Sequence, residues 1–470
     1  MIVSVSDIHL LLHFNYSPLT RRFISERVRS WLRFMANQPL KRHIGLFALV
    51  VYGVGDILGA GIYALIGKAA GEMGNSIWLA FLASMVAAGL TGLSYASLGS
   101  RYPRAGGASF FTHHAVISNF LAYVVGLAAL SSGVTSMAAG SRAFAGYFTS
   151  LVSAIPVDLV VVVFCLVVAS VVIRGIRESM WMNMLCTFIE LGGLLLVIVV
   201  GMKFLGSVDY TSAVTVSNPT GDLTISLILS GAVLTFYSFV GFEDIINVSE
   251  EVKNPESNMP KGILLAVLIA STIYITISLI AVSVIPAVEL AASSAPLVDV
   301  VKRAAPWFPP IAFAFIAMFA VANTALLNFI MGSRLLYGMA NQGLMPKVLG
   351  KVSRRSTPYI SALAVLGFML VLALTGNIAS LARATSVLLL ICFILVNLSL
   401  IVLKHRKGEA KGRFEVPYVV PVLGTLVCAL MLSYAKIEEL KVAGVILVVI
   451  VVLYFLIRPT GDAIKRGFGE

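Results

Sequence analysis

Stretches of about 20 consecutive apolar residues recur along the whole chain, and they limit its fold more than any other feature. A helix of that length spans the roughly 30 Å hydrocarbon core of a bilayer. Hydrophobic residues fill 59% of the 470 positions, charged residues fill 12%, and the mean hydropathy is +0.96. A soluble domain has to cover its surface with polar groups. The composition therefore excludes a soluble fold and predicts an all-α membrane protein.

We predict twelve transmembrane helices from these stretches. Nothing near the N-terminus has the short apolar core and small-residue cleavage site of a signal peptide, so the first helix is expected to act as its own insertion signal. The approximate helix bounds are 44–67, 77–99, 116–141, 157–173, 180–201, 225–248, 262–285, 310–337, 358–375, 381–403, 417–434 and 442–457.

The basic residues are distributed unevenly between the predicted loops. If the N-terminus is cytoplasmic, 26 of the 34 Lys and Arg residues fall in the two tails and the inner loops. This excess follows the positive-inside rule and predicts that both termini lie in the cytoplasm. The same loops account for the formal net charge of +12. The expected partner of this charge is the lipid bilayer, and no nucleic-acid partner is expected.

No motif in the sequence indicates a cofactor, a metal site or a catalytic centre. The cysteines lie in predicted transmembrane helices, where they are interpreted as small packing residues. The Cys/His spacing of zinc sites and the glycine-rich phosphate loop of ATP-driven pumps are both missing. The chain is therefore not expected to be an enzyme, and any active transport would draw on an ion gradient or on exchange.

Two of the predicted helices contain glycines and acids where a continuous helix would place apolar residues. The first reads Gly53-Val-Gly-Asp-Ile-Leu-Gly-Ala-Gly61, and the sixth reads Thr235-Phe-Tyr-Ser-Phe-Val-Gly-Phe-Glu-Asp244. Glycine costs about 1 kcal/mol in a helix relative to alanine, and a membrane-buried carboxylate costs about 2.5–3.5 kcal/mol. Irregular backbone at that depth is tolerated only where it faces protein or a wet cavity. We expect both helices to be broken around a site.

The two interrupted helices are five apart in the order of helices. Matching broken helices in two halves indicate an inverted-repeat transporter whose site lies at the repeat interface. This predicts a five-plus-five inverted repeat in helices 1–10, followed by two extra helices. The expected organisation is a cytoplasmic tail at 1–42 with a basic amphipathic helix, a transport core at 43–403, and an inner loop, two helices and a tail at 404–470.

A break in the first helix has the polar groups needed to bind an α-amino acid. The restarting half exposes N–H groups with partial positive charge, and the ending half exposes carbonyls. The amides of Ala60, Gly61 and Ile62 can hold a carboxylate, and the carbonyl of Ile57 can accept from an ammonium. Gly59 and Gly61 would allow a close approach. The alternative is that these small residues serve helix packing.

Three stretches of the chain resemble the amino acid–polyamine–organocation transporter superfamily, particularly its bacterial and cationic amino acid transporter branches. They are Gly55-Asp-Ile-Leu-Gly-Ala-Gly-Ile-Tyr63, Tyr102-Pro-Arg-Ala-Gly-Gly-Ala-Ser109, and Ser238-Phe-Val-Gly-Phe-Glu243 with the loop that follows to Pro260. The resemblance covers residues 43–457. It implies a leucine-transporter-like fold and a multi-pass protein of the plasma membrane.

The resemblance also assigns roles in the sixth helix. Tyr237 corresponds to an aromatic gate over the substrate, and carbonyls near Val240 would share its ammonium. Glu243 stands where relatives keep an acid implicated in proton coupling or in bracing the helix. A buried membrane carboxylate is by default a functional candidate.

Two further acids depart from the family pattern. Glu190 in the fifth helix occupies a position that is often lysine in relatives. It is interpreted as a proton carrier, as a ligand of a cation together with groups around Asn323 and Thr324, or as a structural hydrogen-bonded side chain. Asp56 replaces a small or amide residue, which would favour a cationic substrate or pair with a coupling ion. If Asp56 and Glu190 face one another, they are expected to share one proton.

The leading hypothesis is a secondary active transporter that moves amino acids by alternating access. Proton coupling or exchange is expected to drive it, and sodium is the less favoured coupling ion. One alternative is an antiporter of cationic amino acids or polyamines. An alternative from another class is an amino acid sensor that binds without transport.

Overall fold

The computed structural model describes residues 42, 44–103, 107–152, 154–174, 177–353, 357–409 and 411–457. The basic amphipathic helix and the C-terminal tail expected from the sequence lie outside the described residues. Within them the chain is almost entirely helical, and the β pairing found there is an isolated parallel bridge between Ile44 and Val252. The all-α prediction is confirmed for this part of the chain.

The described residues form sixteen α-helices, several of them begun by a side-chain cap. Asn377 and Ser380, for example, form a reciprocal capping box at the start of the helix Ile378–His405. The helices are α1 (Leu46–Ile57), α2 (Ala60–Met73), α3 (Ile77–Arg101), α4 (Gly107–Val116), α5 (Asn119–Leu151), α6 (Val157–Arg174), α7 (Arg177–Gly201), α8 (Ile225–Thr235), α9 (Pro255–Val284), α10 (Ala287–Ala292), α11 (Pro296–Ala304), α12 (Pro310–Asn341), α13 (Tyr359–Thr375), α14 (Ile378–His405), α15 (Val419–Ser433) and α16 (Ile437–Ile457).

Nine segments of the described chain are long and apolar enough to cross a membrane, and α13 and α15 are shorter apolar helices. The centre of the molecule is formed by α1 and α3 packed along α9, and by α5 packed along α12 and α14. The outer helices instead expose large apolar side chains, which lipid would cover. On α16 these are Ile437, Val442, Val445, Val448, Val449, Val452, Phe455 and Leu456.

Two clusters of ion pairs lie at opposite ends of α14. At its C-terminal end Lys404 pairs with Glu415, which also receives two bonds from Arg101 at 2.6 and 2.7 Å. At its N-terminal end Arg383 contacts Glu72 and lies 3.1 Å from Glu439. Residues 383 and 404 are about 30 Å apart along a helix that rises 1.5 Å per residue. That separation matches the thickness of a hydrocarbon core.

The carboxylate of Glu415 is strongly stabilised in its ionised form. Burial acts to raise its pKa, but hydrogen bonds from Arg101, the Gly412 amide and Lys404 outweigh burial and lower the pKa to about 2. Glu415 therefore ties the segment after α14 to the end of α3. The Arg101 side chain is only 4% exposed, so it depends on this partner.

We expect Glu415→Gln to destabilise the protein by about 1–3 kcal/mol at neutral pH, because it leaves a buried guanidinium without a carboxylate. The folded pKa lies below the ordinary value of 4.5, so the deficit should be constant from pH 8 to pH 5. It should shrink as the pH falls from about 4.5 toward 2, where the wild-type carboxylate becomes protonated. Thermal unfolding of both proteins in detergent across this pH range measures the difference in stability.

Glu438→Gln is the matched control, since that carboxylate is 83% exposed and pairs with the exposed Lys441. Its midpoint should stay within about 1 °C of the wild type. Equal midpoints for Glu415→Gln and the wild type at pH 7 would contradict the role of Glu415.

Candidate functional site

The first apolar segment is interrupted between α1 and α2. Leu58 and Gly59 separate Ile57, the last residue of α1, from Ala60, the first residue of α2. Gly59 has φ 125° and ψ −126°, a conformation that residues with a side chain rarely adopt. The Tyr63 amide makes the first bond of the new helix, to the Gly59 carbonyl. The amides that precede it have no partner within α2.

The predicted sixth helix, at 225–248, is interrupted in a similar way. Its α-helical part, α8, ends at Thr235 and continues as a 3-10 turn over Phe236–Phe239. Gly241 follows with φ 121°, and a second 3-10 stretch covers Asp244–Glu251. Both segments therefore break at a glycine in a backbone conformation that is strained for other residues.

The two breaks touch each other at two points. A methyl group added to Gly61 would overlap the Cα and Cβ of Ser238. A methyl group added to Gly241 would lie 2.7 Å from both the backbone carbon and the backbone oxygen of Asp56. Each break thus presents a glycine to the backbone of the other, and only glycine fits at either point.

The structure brings all the residues predicted to bind substrate to this contact. All of these residues are buried, and the exposed fraction of each non-glycine residue is at most 9%. They are Ile57, Gly59, Ala60, Gly61, Ile62, Tyr237 and Val240. The Ala60 amide donates to Thr324 Oγ1 of α12 at 3.1 Å. The amides of Gly61 and Ile62 remain at the open start of α2.

Tyr237 lies beside the break and is held against α5. Its hydroxyl donates to the Ser136 carbonyl at 3.1 Å and accepts from the Ser136 hydroxyl at 3.2 Å. These two hydrogen bonds hold the Tyr237 side chain against α5. The contact also places Ser136 at the site.

Tyr274 of α9 is a residue of this site that the sequence did not indicate. Its hydroxyl oxygen lies 2.5 Å from the carbonyl oxygen of Ile57 and 2.8 Å from that of Ser238. One side chain thus contacts the backbone at both breaks. A tyrosine within an apolar helix carries no local signal of this role.

Asp56 and Glu190 come close together in the interior. A methyl group on Gly55 would overlap Thr187 of α7, so α1 packs directly on the face of α7 that carries Glu190 one turn later. The two carboxyls interact electrostatically. Asp56 is 2% exposed and Glu190 is fully buried. None of their four carboxyl oxygens has a hydrogen-bond partner within 3.5 Å among the described residues, and the Asn323 side chain makes a longer polar contact with Glu190.

Polar groups of α7 and α12 surround this pair. The Asn323 amide lies beside Glu190 and donates from Nδ2 to Asn183 Oδ1 at 3.1 Å. Thr187 donates to the same Asn183 oxygen at 3.4 Å. Thr324 Oγ1 accepts the Ala60 amide at the start of α2. The described residues hold no group of three or more His, Cys, Asp or Glu side chains arranged to bind a metal.

Glu243 braces the second break and also faces a cavity. Its Oε2 accepts the Gly241 amide at 3.0 Å, which is the bracing role considered from the sequence. Glu243 and the adjacent Asp244 are half-buried. Neither has a Lys or Arg partner within the described part of the chain. Asp244 was not singled out from the sequence, although a second acid beside Glu243 in an apolar segment was a usable signal.

The cavity extends from Val240 at the break to the start of α4. About 60 Å³ of it is accessible to the centres of water molecules, so the cavity is narrow. Polar groups on its wall are interleaved with apolar ones from α5, α12 and α14. The lining includes Ser109, Ser132, Val240, Glu243, Asp244, Asn247, Asn328, Leu389 and Cys392.

Comparison with known proteins identifies relatives over most of the chain. The branched-chain amino acid permease BcaP of Bacillus subtilis is 27% identical over 445 residues, which covers 89% of this chain and 93% of the relative. The methylthioribose transporter of the same organism is 26% identical and covers 83% and 88%. Cationic amino acid transporter 4 of Mus musculus is 30% identical and covers 79% of this chain and 61% of the relative.

The family model for amino acid permeases matches residues 44–461. This range includes both breaks, the acids beside them and the cavity. Together with the apolar helices, the match makes the chain a multi-pass integral membrane protein that transports amino acids. The protein belongs to the amino acid permease family, within the amino acid–polyamine–organocation superfamily.

Proposed function

We propose that this permease is a proton-coupled secondary transporter that moves amino acids by alternating access between the two breaks. The buried carboxyls of Asp56 and Glu190, whose four oxygens have no hydrogen-bond partner within 3.5 Å among the described residues, carry the coupling part of the proposal. Two ionised carboxylates at this depth would each lack compensation. A shared proton removes one charge and supplies a donor.

The substrate would be bound by the backbone of the first break. The amides of Gly61 and Ile62, with that of Ala60, face its carboxylate, and the carbonyls of Ile57 and Val240 face its ammonium. Tyr237 covers the side of the substrate. The burial of these groups and the contact between the breaks support this arrangement.

The proposed architecture is twelve transmembrane helices in a five-plus-five inverted repeat with two extra helices. Support comes from the apolar segment Leu46–Arg101, which contains the broken first helix (α1 and α2) and α3, and from the shorter helices α13 and α15. The similar breaks in the first and sixth segments support the repeat. In this proposal 1–42 is a tail, 43–403 is the core and 404–470 is the appended part.

The excess of Lys and Arg in alternate loops supports cytoplasmic termini, and the plasma membrane is the proposed location.

Uptake by proteoliposomes containing the purified protein tests the coupling. Labelled L-leucine and L-arginine are supplied with an inward proton gradient, an inward sodium gradient, or neither. We expect accumulation only with the proton gradient. Accumulation with sodium alone would overturn proton coupling, and binding without uptake or exchange would favour the sensor.

A cationic substrate is the second candidate, because the Asp56 carboxyl lies against Gly241, two residues before Glu243, so that acids meet at the two breaks. Asp56→Asn should then raise the KM for L-arginine about tenfold while that for L-leucine changes less than threefold, since one favourable charge is removed. The proteoliposome assay measures both. Equal effects on the two substrates would remove Asp56 from substrate selection.

A further inference from the structure

Tyr274 occupies a special position between the two broken segments. It lies in α9, is fully buried, and packs its ring against Phe81 and Phe239 at centroid distances of 5.7 and 5.4 Å. Its hydroxyl reaches one carbonyl at each break, those of Ile57 and Ser238. Among the described residues, no other side chain forms hydrogen bonds with both of these carbonyls.

The hydroxyl has one hydrogen and two acceptors. The two carbonyl oxygens lie 2.5 and 2.8 Å from the same atom, so they are at most about 5.3 Å apart. The tetrahedral N–H groups of an ammonium, with N–H···O bonds of about 2.8 Å, reach two acceptors about 4.6 Å apart, a separation that lies within this limit. The carbonyl pair that Tyr274 contacts is thus also suited to bind a primary ammonium.

Buried carbonyls need a donor whenever water is excluded from them. In a loaded carrier the substrate ammonium can serve the Ile57 carbonyl and, beside the Val240 carbonyl of the proposed site, that of Ser238. In an unloaded carrier that closes to water, the donor has to come from the protein itself. The Tyr274 hydroxyl is in the position to supply it.

We propose that Tyr274 is a positioning residue that takes the place of the substrate ammonium during the unloaded step of transport. This inference rests on the proposed substrate site at the breaks. It predicts that the hydroxyl is needed when the permease returns without substrate, and is largely dispensable when the permease carries substrate in both directions.

Tyr274→Phe removes the hydroxyl and keeps the ring contacts with Phe81 and Phe239. The test compares two rates in proteoliposomes without a pH gradient: efflux of labelled L-leucine into buffer, and exchange against unlabelled L-leucine outside. Efflux includes the unloaded return, and exchange does not. Leaving a buried carbonyl without a donor should slow efflux about five- to tenfold. Exchange should change less than twofold, and its KM should remain within twofold.

Tyr123→Phe is the matched control. The Tyr123 hydroxyl is buried but has no hydrogen-bond partner among the described residues. Removing it should leave efflux and exchange unchanged. For each variant the result is the ratio of the efflux rate to the exchange rate. Because both rates come from one preparation, this ratio does not depend on the fraction of folded protein.

An equal fall in efflux and exchange would give Tyr274 a purely structural role, and unchanged efflux would remove it from the cycle. Both outcomes overturn the proposal. Neither measurement uses a proton gradient, so failure of proton coupling would show in the uptake assay while this comparison still gives a result.

Discussion

Gly241→Ala is expected to abolish transport and to destabilise the protein by about 2–6 kcal/mol. Two effects add at this position. The new methyl group would lie 2.7 Å from the backbone of Asp56, and alanine would have to adopt a φ of 121°. Because the opposing atoms are backbone, no side-chain rotation relieves the overlap. Thermal unfolding of the detergent-solubilised protein and L-leucine exchange in proteoliposomes measure the two losses.

Gly89→Ala is the matched control for this substitution. Gly89 lies within α3, and a methyl group added there meets no atom within 4 Å. Alanine should therefore leave transport intact and stabilise the helix by about 0.5–1 kcal/mol. Wild-type exchange by Gly241→Ala would show that the two breaks are not packed as described.

Glu190→Gln is expected to abolish proton-driven accumulation while exchange continues. Glutamine has nearly the shape of a protonated glutamic acid, so the buried site keeps its packing and its neutral charge. It has no proton to release in this pH range. With one proton coupled to a neutral substrate, a gradient of one pH unit supports at most about tenfold accumulation. In the variant the ratio of inside to outside L-leucine should fall to about one.

The control for Glu190→Gln is Glu289→Gln, which removes a carboxylate that is 53% exposed and paired with Arg303. Glu289→Gln should keep both proton-driven accumulation and exchange at the wild-type level. If Glu190→Gln accumulates L-leucine as the wild type does, Glu190 has only a structural role. Loss of exchange as well would place Glu190 in the movement of the loaded carrier.

The approximate positions of the long apolar helices and of both breaks could be predicted from local sequence, whereas the short helices α4, α10 and α11 were not predicted. Apolar length marks a membrane helix, and glycine beside an acid marks a place where that helix is hard to continue. The breaks at Gly59 and Gly241 follow from this reasoning. The closeness of Asp56 and Glu190 was anticipated only as a possibility, because it depends on how Gly55 packs against Thr187.

The partners within the site could not be predicted, because they join residues far apart in the chain. Thr324 accepts the Ala60 amide across 264 positions, and Tyr274 contacts Ile57 across 217. Helical periodicity constrains neighbours within one or two turns. It does not determine which hydroxyl of another helix reaches a given carbonyl. The contact between Arg383 and Glu72, across 311 positions, was missed for the same reason.

The cavity beside the second break also gives the protein a built-in chemical reporter. All four native cysteines are buried and free, and of these Cys392 lines the cavity. A small thiol reagent that enters the cavity reaches Cys392 without crossing the packed core. The rate at which Cys392 is labelled in the otherwise unmodified protein therefore measures how often the cavity is open. Mass spectrometry of the peptide that contains Cys392 separates its labelling from that of the other three cysteines.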